Sequence, residues 1–323
     1  MASLQHFSFA FSKDIAMYSS RVITQCRIRT ALAAAFFLSA VQSHPAAAQE
    51  PDLSELSPEQ QQMIALYASI EWQVGPTTAD IGGNAQITVP EGFQFTGRQG
   101  SIAWNKLTQN PPDSTLGILM PTADDQDWFV AFQFDDIGYV KDDEKADLDA
   151  DAILESLQQG TEQSNEFRRS QGWSAIHLSG WIIPPKYDES TNNLVWSTKL
   201  HDDEGTTSAN HNIRILGRRG VMTATLVASV EEMNAATETT NQILTGFEYK
   251  SGEKYAEFSS GDKIAQYGLT GLIAGGAAVA AVKMGLFAKL FQVLAKGGKA
   301  IVLVLIAAAA GIKKLFFGST AEE

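Results

Sequence analysis

The sequence predicts an α+β fold: an antiparallel sheet meander with two or three helices, followed by one or more C-terminal transmembrane helical segments. Two observations lead to this prediction. The middle of the chain contains short runs in which apolar and polar residues alternate between turn residues, which is typical of antiparallel strands. The chain then runs without a charge over the 19 residues from Ile264 to Val282, and an α-helix needs about 20 apolar residues to cross a bilayer.

The first predicted element is a helix that begins after Ser57 and ends near Trp72. Ser57 can cap this helix, Pro58 suits its first position, and Gln60 can bond back to the cap. After Gly82-Gly83 the pattern changes to an alternation of period two. Four short strands are expected there, at residues 86–90, 93–96, 128–134 and 137–140.

One long helix is predicted from Asp149 to Gln171, because apolar residues recur at helical spacing and Gly172 provides a stop signal. The pattern that follows indicates a four-stranded antiparallel meander. Its strands are expected at residues 175–183, 194–201, 211–216 and 221–229. A helix over residues 231–244 and a strand at Phe247–Tyr249, which we expect to close the same sheet, complete the domain.

The N-terminus has the features of a secretory leader. Basic residues precede a short apolar core from Thr30 to Gln42, and Ala46 and Ala48 form a cleavage signal, so we place the cut after Ala48. An uncleaved N-terminal anchor is the alternative. Cys26 is the only cysteine and lies inside the leader, so the mature chain is predicted to have no disulfide and no thiol chemistry.

The C-terminal end predicts a membrane anchor. Lysines cluster directly after Val282, which favours a cytoplasmic face there and an exported domain before it. Gly271 and Gly275 have the spacing that allows two transmembrane helices to pack closely. On which side the chain ends is left open.

These signals divide the chain into six parts. Residues 1–48 are predicted to be a signal peptide, 49–80 a linker and helix, 81–260 a periplasmic α+β domain, 261–282 a transmembrane helix, 283–299 a lysine-rich amphipathic helix at the cytoplasmic face, and 300–323 a second hydrophobic segment and tail.

The acidic composition limits the classes of partner. The formal net charge is −13, and a strongly acidic domain is repelled by nucleic acid and by anionic lipid head groups. We therefore predict no nucleic-acid partner. The expected partners are the inner membrane and either another envelope protein or a second copy, bound through the transmembrane helix.

One group of residues is a candidate binding surface. Arg214 and Arg218 belong to the single basic cluster of an acidic domain. They could pair with Asp188 or with the acidic start of the long helix, or they could bind an anionic ligand or a lipid glycan through bidentate contacts. Trp181, Tyr187 and Asp188 lie on strands beside a Pro-Pro turn, where aromatic side chains either complete a core or form a partner patch.

Enzymatic and metal-binding alternatives rest on the histidines. His201 and His211 flank one loop and could face each other across a hairpin as metal ligands. His177, Ser179 and Asp188 could form a nucleophilic group. Neither arrangement has a complete motif, so no catalytic residue, cofactor or metal is predicted.

An acidic run before the long helix invites a calcium interpretation but does not fit one. An EF-hand loop requires glycine at its sixth position and glutamate at its twelfth, where this chain has Ala152 and Gln158. The aspartates, including Asp149, are expected to cap the helix and complement its dipole instead.

Eight motifs occur in order along the mature chain. They are EWQVG (71–75), VPEGF (89–93), NPP (110–112), GYVKDD (138–143), GW with PKYD (180–188), LVW (194–196), RILGRRG (214–220) and DKIAQYG (262–268). With these motifs the chain resembles a bacterial family of predicted membrane-anchored proteins, grouped as domain of unknown function 2167. The resemblance covers roughly residues 55–315.

The chain departs from the family pattern in two places. It lacks the tryptophan and glycine usual before NPP, and His211 replaces a usual tyrosine, which weakens the case for His211 as a ligand. The resemblance implies no activity. The predicted element order is also similar to the sandwich of photosystem subunits of the PsbP type, which is a likeness of fold alone.

The sequence therefore predicts a membrane-anchored periplasmic protein that acts as a non-catalytic binding or scaffolding module of the cell envelope. The alternative is an envelope enzyme or metal-binding protein that uses the histidine-bearing strands of the meander.

Overall fold

The computed structural model describes residues 58–112, 114–146 and 148–274, which form an α+β fold with antiparallel sheets. The α-helices of these residues are α1 (Pro58–Ala68), α2 (Arg98–Leu107), α3 (Ala150–Ser170), α4 (Met233–Leu244) and α5 (Leu269–Ala274). The strands are β1 (Gln73–Val74), β2 (Thr77–Ile81), β3 (Ala85–Val89), β4 (Phe93–Gly97), β5 (Gly117–Pro121), β6 (Phe129–Asp135), β7 (Ile176–Asp188), β8 (Asn193–Asp202), β9 (Thr207–Leu216), β10 (Val221–Ala228) and β11 (Phe247–Tyr249).

Eight strands form the main sheet, in the order β1-β4-β5-β6-β10-β9-β8-β7. The predicted meander is confirmed as its second half, where β7 to β10 are antiparallel neighbours in chain order. β6 pairs with β10 and joins the meander to the first half. A second sheet has the order β11-β3-β2.

The long helix is confirmed in nearly the predicted position. Its N-cap is Asp149, whose carboxylate accepts a hydrogen bond from the Ala152 backbone N–H at 3.0 Å. Asp149 therefore acts as the cap that we expected and satisfies one of the free amides at the helix start. Asp147 of the same acidic run lies outside the described residues.

Four of these helices and strands were not predicted: α2, β1, β2 and β5. Helix α2 lacks a side-chain cap at Gly97 and contains Gly100, so its local signal is weak. A Cβ at residue 100 would lie 2.0 Å from the Thr96 hydroxyl oxygen. The glycine thus permits a close approach to β4, and burial of Trp104 against the sheet supports the helix.

Two strand predictions were wrong. β11 does not close the main sheet but pairs with β3 in the second sheet. Helix α4, which precedes β11, packs on the face of the main sheet that the second sheet also covers. Residues 137–140 form no strand; Tyr139 makes an isolated bridge with Ile264.

The two faces of the main sheet are covered by different elements. One face, together with the second sheet and α4, encloses the largest apolar core, which includes Phe95, Phe132 and Leu226. On the other face, α1 and α2 cover one end of the sheet. Helices α3 and α5 cover its other end.

Residues 250–274, the C-terminal segment, run along the domain and differ from the predicted membrane boundary. Residues 261–268 are not helical, and the helix begins at Leu269. Leu269, Leu272 and Ile273 are buried with residues of α3 and the sheet, so this stretch belongs to the folded domain. None of the helices in the described residues has the length and apolar character needed to cross a bilayer.

Candidate functional site

The face of the main sheet toward α2 and α3 contains a buried polar region. On β10, Val221 packs in the cluster with α3, and Val227 packs in the cluster with α2. The two residues between them with the same orientation are Thr223 and Thr225, which are 0% and 2% exposed. Because strand residues alternate between faces, both hydroxyls point to the helical side between the two apolar clusters.

The neighbouring strands extend this polar region. Thr223 lies opposite Gln133 of β6 and Arg214 of β9, and Thr225 lies opposite Asn212 of β9. We call the buried polar residues of this side the polar face: Gln133, Thr198, Ser208, Asn210, Asn212, Arg214, Thr223 and Thr225. Central strands of a sheet covered on both sides ordinarily carry apolar residues, so a polar face of this extent requires an explanation.

Some polar-face groups bind one another, and others do not. The Thr225 hydroxyl donates to Asn212 Oδ1 at 3.2 Å, and Gln133 Nε2 donates to Ser114 Oγ at 2.9 Å. Ser208 Oγ, Asn210 Oδ1 and Thr223 Oγ1 are buried without a hydrogen-bond partner among the described residues. Each such group costs about 1–3 kcal/mol, so these three groups lower the stability of the fold.

Arg214 brings a charge to the edge of the polar face. Its guanidinium carbon lies 5.1 Å from the centroid of the Trp196 ring. Burial lowers the pKa of Arg214, and the nearby Asp135 carboxylate opposes this effect. Burial also raises the pKa of Asp135, which Arg214 counteracts. Each charge therefore offsets part of the burial cost of the other, and the remainder of the polar face is neutral.

The five residues that were predicted to form a binding surface do not lie together on one exposed surface. Arg214, a candidate for contact with an anion, is 3% exposed because its position in β9 directs it to the covered side. Arg218 forms a bidentate ion pair with Asp262 of the C-terminal segment, at 2.8 and 2.9 Å. Asp188 lies at the far end of β7 and accepts hydrogen bonds from the Ser190 backbone N–H and hydroxyl.

The two aromatic members of that predicted surface complete a core. Trp181 and Tyr187 pack at the margin of the cluster that contains Leu269 of α5. The Trp181 indole N–H donates to the Ala150 carbonyl oxygen at 3.2 Å, and the Tyr187 hydroxyl donates to Asn192 Oδ1 at 3.3 Å. The chain's own C-terminal segment packs at this site.

The predicted facing of His201 and His211 is wrong. His201 lies opposite Thr207, and His211 lies opposite Ser197, four residues further along β8. His211 points into the apolar side, where its Nδ1 and the Ser197 hydroxyl are hydrogen-bonded at 2.7 Å. Burial lowers the pKa of His211 to about 4, so the ring is neutral at pH 7.

His177, Ser179 and Asp188 are not brought together either, because Asp188 is eleven residues from His177 along β7. The structure instead pairs His177 with His201, with ring centroids 5.2 Å apart. The Ser179 hydroxyl and His201 Nδ1 are hydrogen-bonded at 2.9 Å.

His177 connects two acidic residues from different elements. Its Nδ1 lies 2.7 Å from Glu162 Oε1 of α3, and its Nε2 lies 2.9 Å from Asp203 Oδ1 of the β8–β9 turn. These hydrogen bonds, to Asp203 first and then to Glu162, raise the pKa of His177. No group of three or more His, Cys, Asp or Glu residues is arranged to hold a metal ion within the described ranges.

Of the two glycines predicted for membrane helix packing, the structure describes one. Gly271 lies in α5 and is buried in the domain, where a Cβ would lie 2.5 Å from the Tyr267 ring. Gly275 lies outside the described residues. The pairing of two helices through these glycines stays a prediction.

Comparisons with known proteins bear on identity and fold. The solution structure of cyanobacterial PsbP (CyanoP) from Synechocystis sp. PCC 6803 is similar, with 12% identity, a TM-score of 0.32, and coverage of 57% of this chain and 94% of that chain. No curated protein matches the sequence. The family described as "Protein of unknown function (DUF2167)" matches residues 73–309. Since this match covers more than half of the chain, the protein belongs to the DUF2167 family.

Proposed function

We propose that this protein is a membrane-anchored periplasmic binding module of the cell envelope, and that its exported α+β domain binds a ligand on the polar face without catalysing a reaction. The proposal combines the leader and apolar C-terminal sequence, which support export and anchoring, with the chemistry of the buried sheet face.

The observation that carries the binding proposal is the set of buried, unpartnered polar atoms on Ser208, Asn210 and Thr223. Valine has nearly the shape of threonine and would be more stable at a buried site without a partner. Sequences that depart from the most stable choice do so mainly at functional sites. The polar face is therefore the part of the domain best suited to binding.

The side chains indicate the class of ligand. Hydroxyl and amide groups predominate, and the one cation, Arg214, is compensated by Asp135. A ligand in contact with the polar face would be held by hydrogen bonds to neutral donors and acceptors rather than by charge. We accordingly propose a small, uncharged, hydrogen-bonding molecule or a group of that kind on a larger partner.

The C-terminal segment supports the anchoring part of the proposal. The ion pair between Arg218 and Asp262 and the buried residues of α5 attach this segment to the domain immediately before the apolar sequence that starts at Gly275. An anchor in that sequence would hold the domain in a fixed orientation rather than on a flexible linker.

Native mass spectrometry of the full chain, purified from its own membranes in mild detergent, tests the binding proposal. We expect a bound small molecule on the wild type and its loss in Thr223→Val. Thr240→Val is the matched control, because the Thr240 hydroxyl is also buried and unpartnered but lies on α4, on the other side of the sheet. Absence of a bound mass from the wild type, or its retention by Thr223→Val, would contradict the proposal.

Single-cysteine labelling tests the anchoring. Replacing Cys26, the only cysteine, by Ser gives a background without thiols. In intact spheroplasts, a membrane-impermeant maleimide should label Ser260→Cys and should label Ala295→Cys only after lysis. Equal labelling of both positions before lysis would contradict the proposed topology.

A second candidate function follows from the hydrogen bond between Ser179 and His201. A serine hydroxyl held by an imidazole is the central pair of nucleophilic hydrolases. If this pair is catalytic, Ser179→Ala should abolish the cellular role of the protein at unchanged abundance, whereas Thr223→Val should preserve it. The reverse result would favour the binding function.

A further inference from the structure

An exposed apolar patch lies on the C-terminal segment. The large hydrophobic residues Phe258 and Ile264 are 38% and 48% exposed. Both adjoin Tyr139: the ring centroids of Phe258 and Tyr139 are 4.2 Å apart, and Ile264 forms a bridge with Tyr139. Tyr255 also stacks on Tyr139, at 4.5 Å. We call these four residues the aromatic patch.

Backbone and side-chain bonds hold the aromatic patch in place. The Tyr139 N–H donates to the Lys263 carbonyl oxygen at 2.8 Å, and the Ala265 N–H donates to the Tyr139 carbonyl oxygen at 2.9 Å. The Tyr255 hydroxyl donates to the Val140 carbonyl oxygen at 3.0 Å. The exposed apolar side chains are therefore presented by ordered backbone.

The position of the patch in the chain indicates what covers it. Ile264 is ten residues before Ala274, and the sequence from Gly275 to Val282 contains only glycine, alanine and valine. A helix of six residues, such as α5, is about 9 Å long. If the apolar sequence enters a bilayer, the aromatic patch lies within a short distance of the membrane surface.

Three basic side chains near the patch are paired with carboxylates, and Lys263 donates to the Asp136 carbonyl oxygen at 3.1 Å, so attraction to anionic lipid is not the main force that we expect. Arg218 is paired with Asp262, and Arg219 is paired with Glu253. Lys254 is paired with Glu248 at 2.8 Å. Tyrosine and other aromatic residues favour the membrane interface because they combine an apolar ring with a polar edge.

We propose that the aromatic patch contacts the interfacial region of the lipid bilayer and fixes the orientation of the domain on the membrane. This inference rests on the proposed anchoring. The occupant is the neutral head-group and upper acyl region, so contact should depend on exposed Phe258 and Ile264 and not on lipid charge.

The test uses the full chain with Cys26→Ser, reconstituted into phosphatidylcholine vesicles that contain a doxyl-labelled quencher lipid. An environment-sensitive fluorophore is attached to Ser260→Cys, between Phe258 and Ile264, or to Gln171→Cys, an exposed control at the end of α3. We expect strong quenching and a blue shift at position 260 and neither change at position 171. Phe258→Ser with Ile264→Ser should remove most of the quenching while the chain stays with the vesicles.

The outcomes separate the two proposals. If the chain is washed from the vesicles by carbonate, the anchoring proposal fails. If the chain stays bound but position 260 is quenched no more than position 171, the patch does not contact lipid. Disulfide-linked dimers through Ser260→Cys would assign the patch to a second copy, and quenching that requires anionic lipid would assign it to charge; either result overturns the inference. Unchanged melting of the double variant shows that its fold is intact.

Discussion

The two faces of the main sheet are equally buried but differ in chemistry. On β10, Met222, Ala224 and Leu226 point into the apolar core between the sheets, whereas Thr223 and Thr225, which alternate with them, point to the polar face. One strand thus carries both kinds of surface. The difference teaches that burial alone does not identify a residue's role, because the apolar set stabilises the fold, whereas a buried hydroxyl without a partner, such as that of Thr223, opposes it.

Rough magnitudes support this distinction. A fully buried aliphatic or aromatic side chain contributes about 1.5–3 kcal/mol by leaving water. A buried hydroxyl without a partner costs about 1–3 kcal/mol. The apolar core between the two sheets therefore supplies the stability that offsets the cost of the unpartnered groups on the polar face.

The largest expected effect on stability comes from a substitution in the apolar core between the two sheets. Phe132 is 1% exposed and lies 6.4 Å, ring to ring, from Phe95. Phe132→Ala should lower the free energy of unfolding by about 3–5 kcal/mol, since it leaves a cavity in a close-packed core. Urea unfolding of the protein measures this loss. A loss below about 1 kcal/mol would remove the distinction between the two faces.

The second effect is a pH dependence of stability that arises from the buried His211 side chain. The folded-state pKa of His211 is about 4 because of burial, whereas an unfolded histidine titrates near pH ~6.5. Between these values the unfolded chain binds more protons, so stability falls as the pH is lowered from about 6.5 to about 4, by up to about 3 kcal/mol. His211→Gln should be less sensitive to acid over that window, as measured by urea unfolding at several pH values.

His177 should show the opposite sign. Its pKa is raised by Asp203 and Glu162, so its contribution is fully present below the unfolded pKa and is lost as the pH rises through the folded pKa. His177→Gln should therefore lose stability at pH 6 but not at pH 9. Because the His177 side chain is partly exposed and solvent screens its charge, we expect the change to be much smaller than that of His211. A dependence of the same sign in both variants would contradict the assignment.

A further comparison separates partnered from unpartnered hydroxyls within the polar face. Thr225→Val removes the donor to Asn212 Oδ1 and should cost about 1–3 kcal/mol, because a buried acceptor is left unsatisfied. Thr223→Val should instead stabilise the ligand-free domain by about 1 kcal/mol, because the buried Thr223 hydroxyl has no partner in the described residues.

Both variants conserve shape, so each serves as the control for the other. Equal changes in melting temperature, in the same direction, would show that Thr223 Oγ1 is satisfied in the free protein. In that case the polar face would be an ordinary hydrogen-bonded core.

The alternation of polar residues that forms much of the candidate site is present in the sequence, but the sequence does not show that this face is buried. In β9 every second residue from Ser208 to Arg214 is polar, and β10 alternates threonine with apolar residues. The sequence alone makes Arg214 a candidate for contact with an anion. Alternation assigns it to a face, but the burial of that face depends on helices distant in sequence.

The sequence by itself determined the meander β7–β10, the long helix α3 with its Asp149 cap, and the family. These features depend on local periodicity, capping and ordered motifs, which are properties of neighbouring residues. Their positions could therefore be predicted to within a few residues.

Only the tertiary structure decided which surfaces meet. It placed β6 beside β10, sent β11 to the second sheet and paired His177 with His201. It also placed Trp181 and Tyr187 at the margin of the apolar cluster that contains Leu269. Each of these contacts joins residues far apart in the chain, and periodicity assigns a residue to a face without specifying what covers that face. For this reason the polar face, on which the proposed function rests, emerged only from the fold.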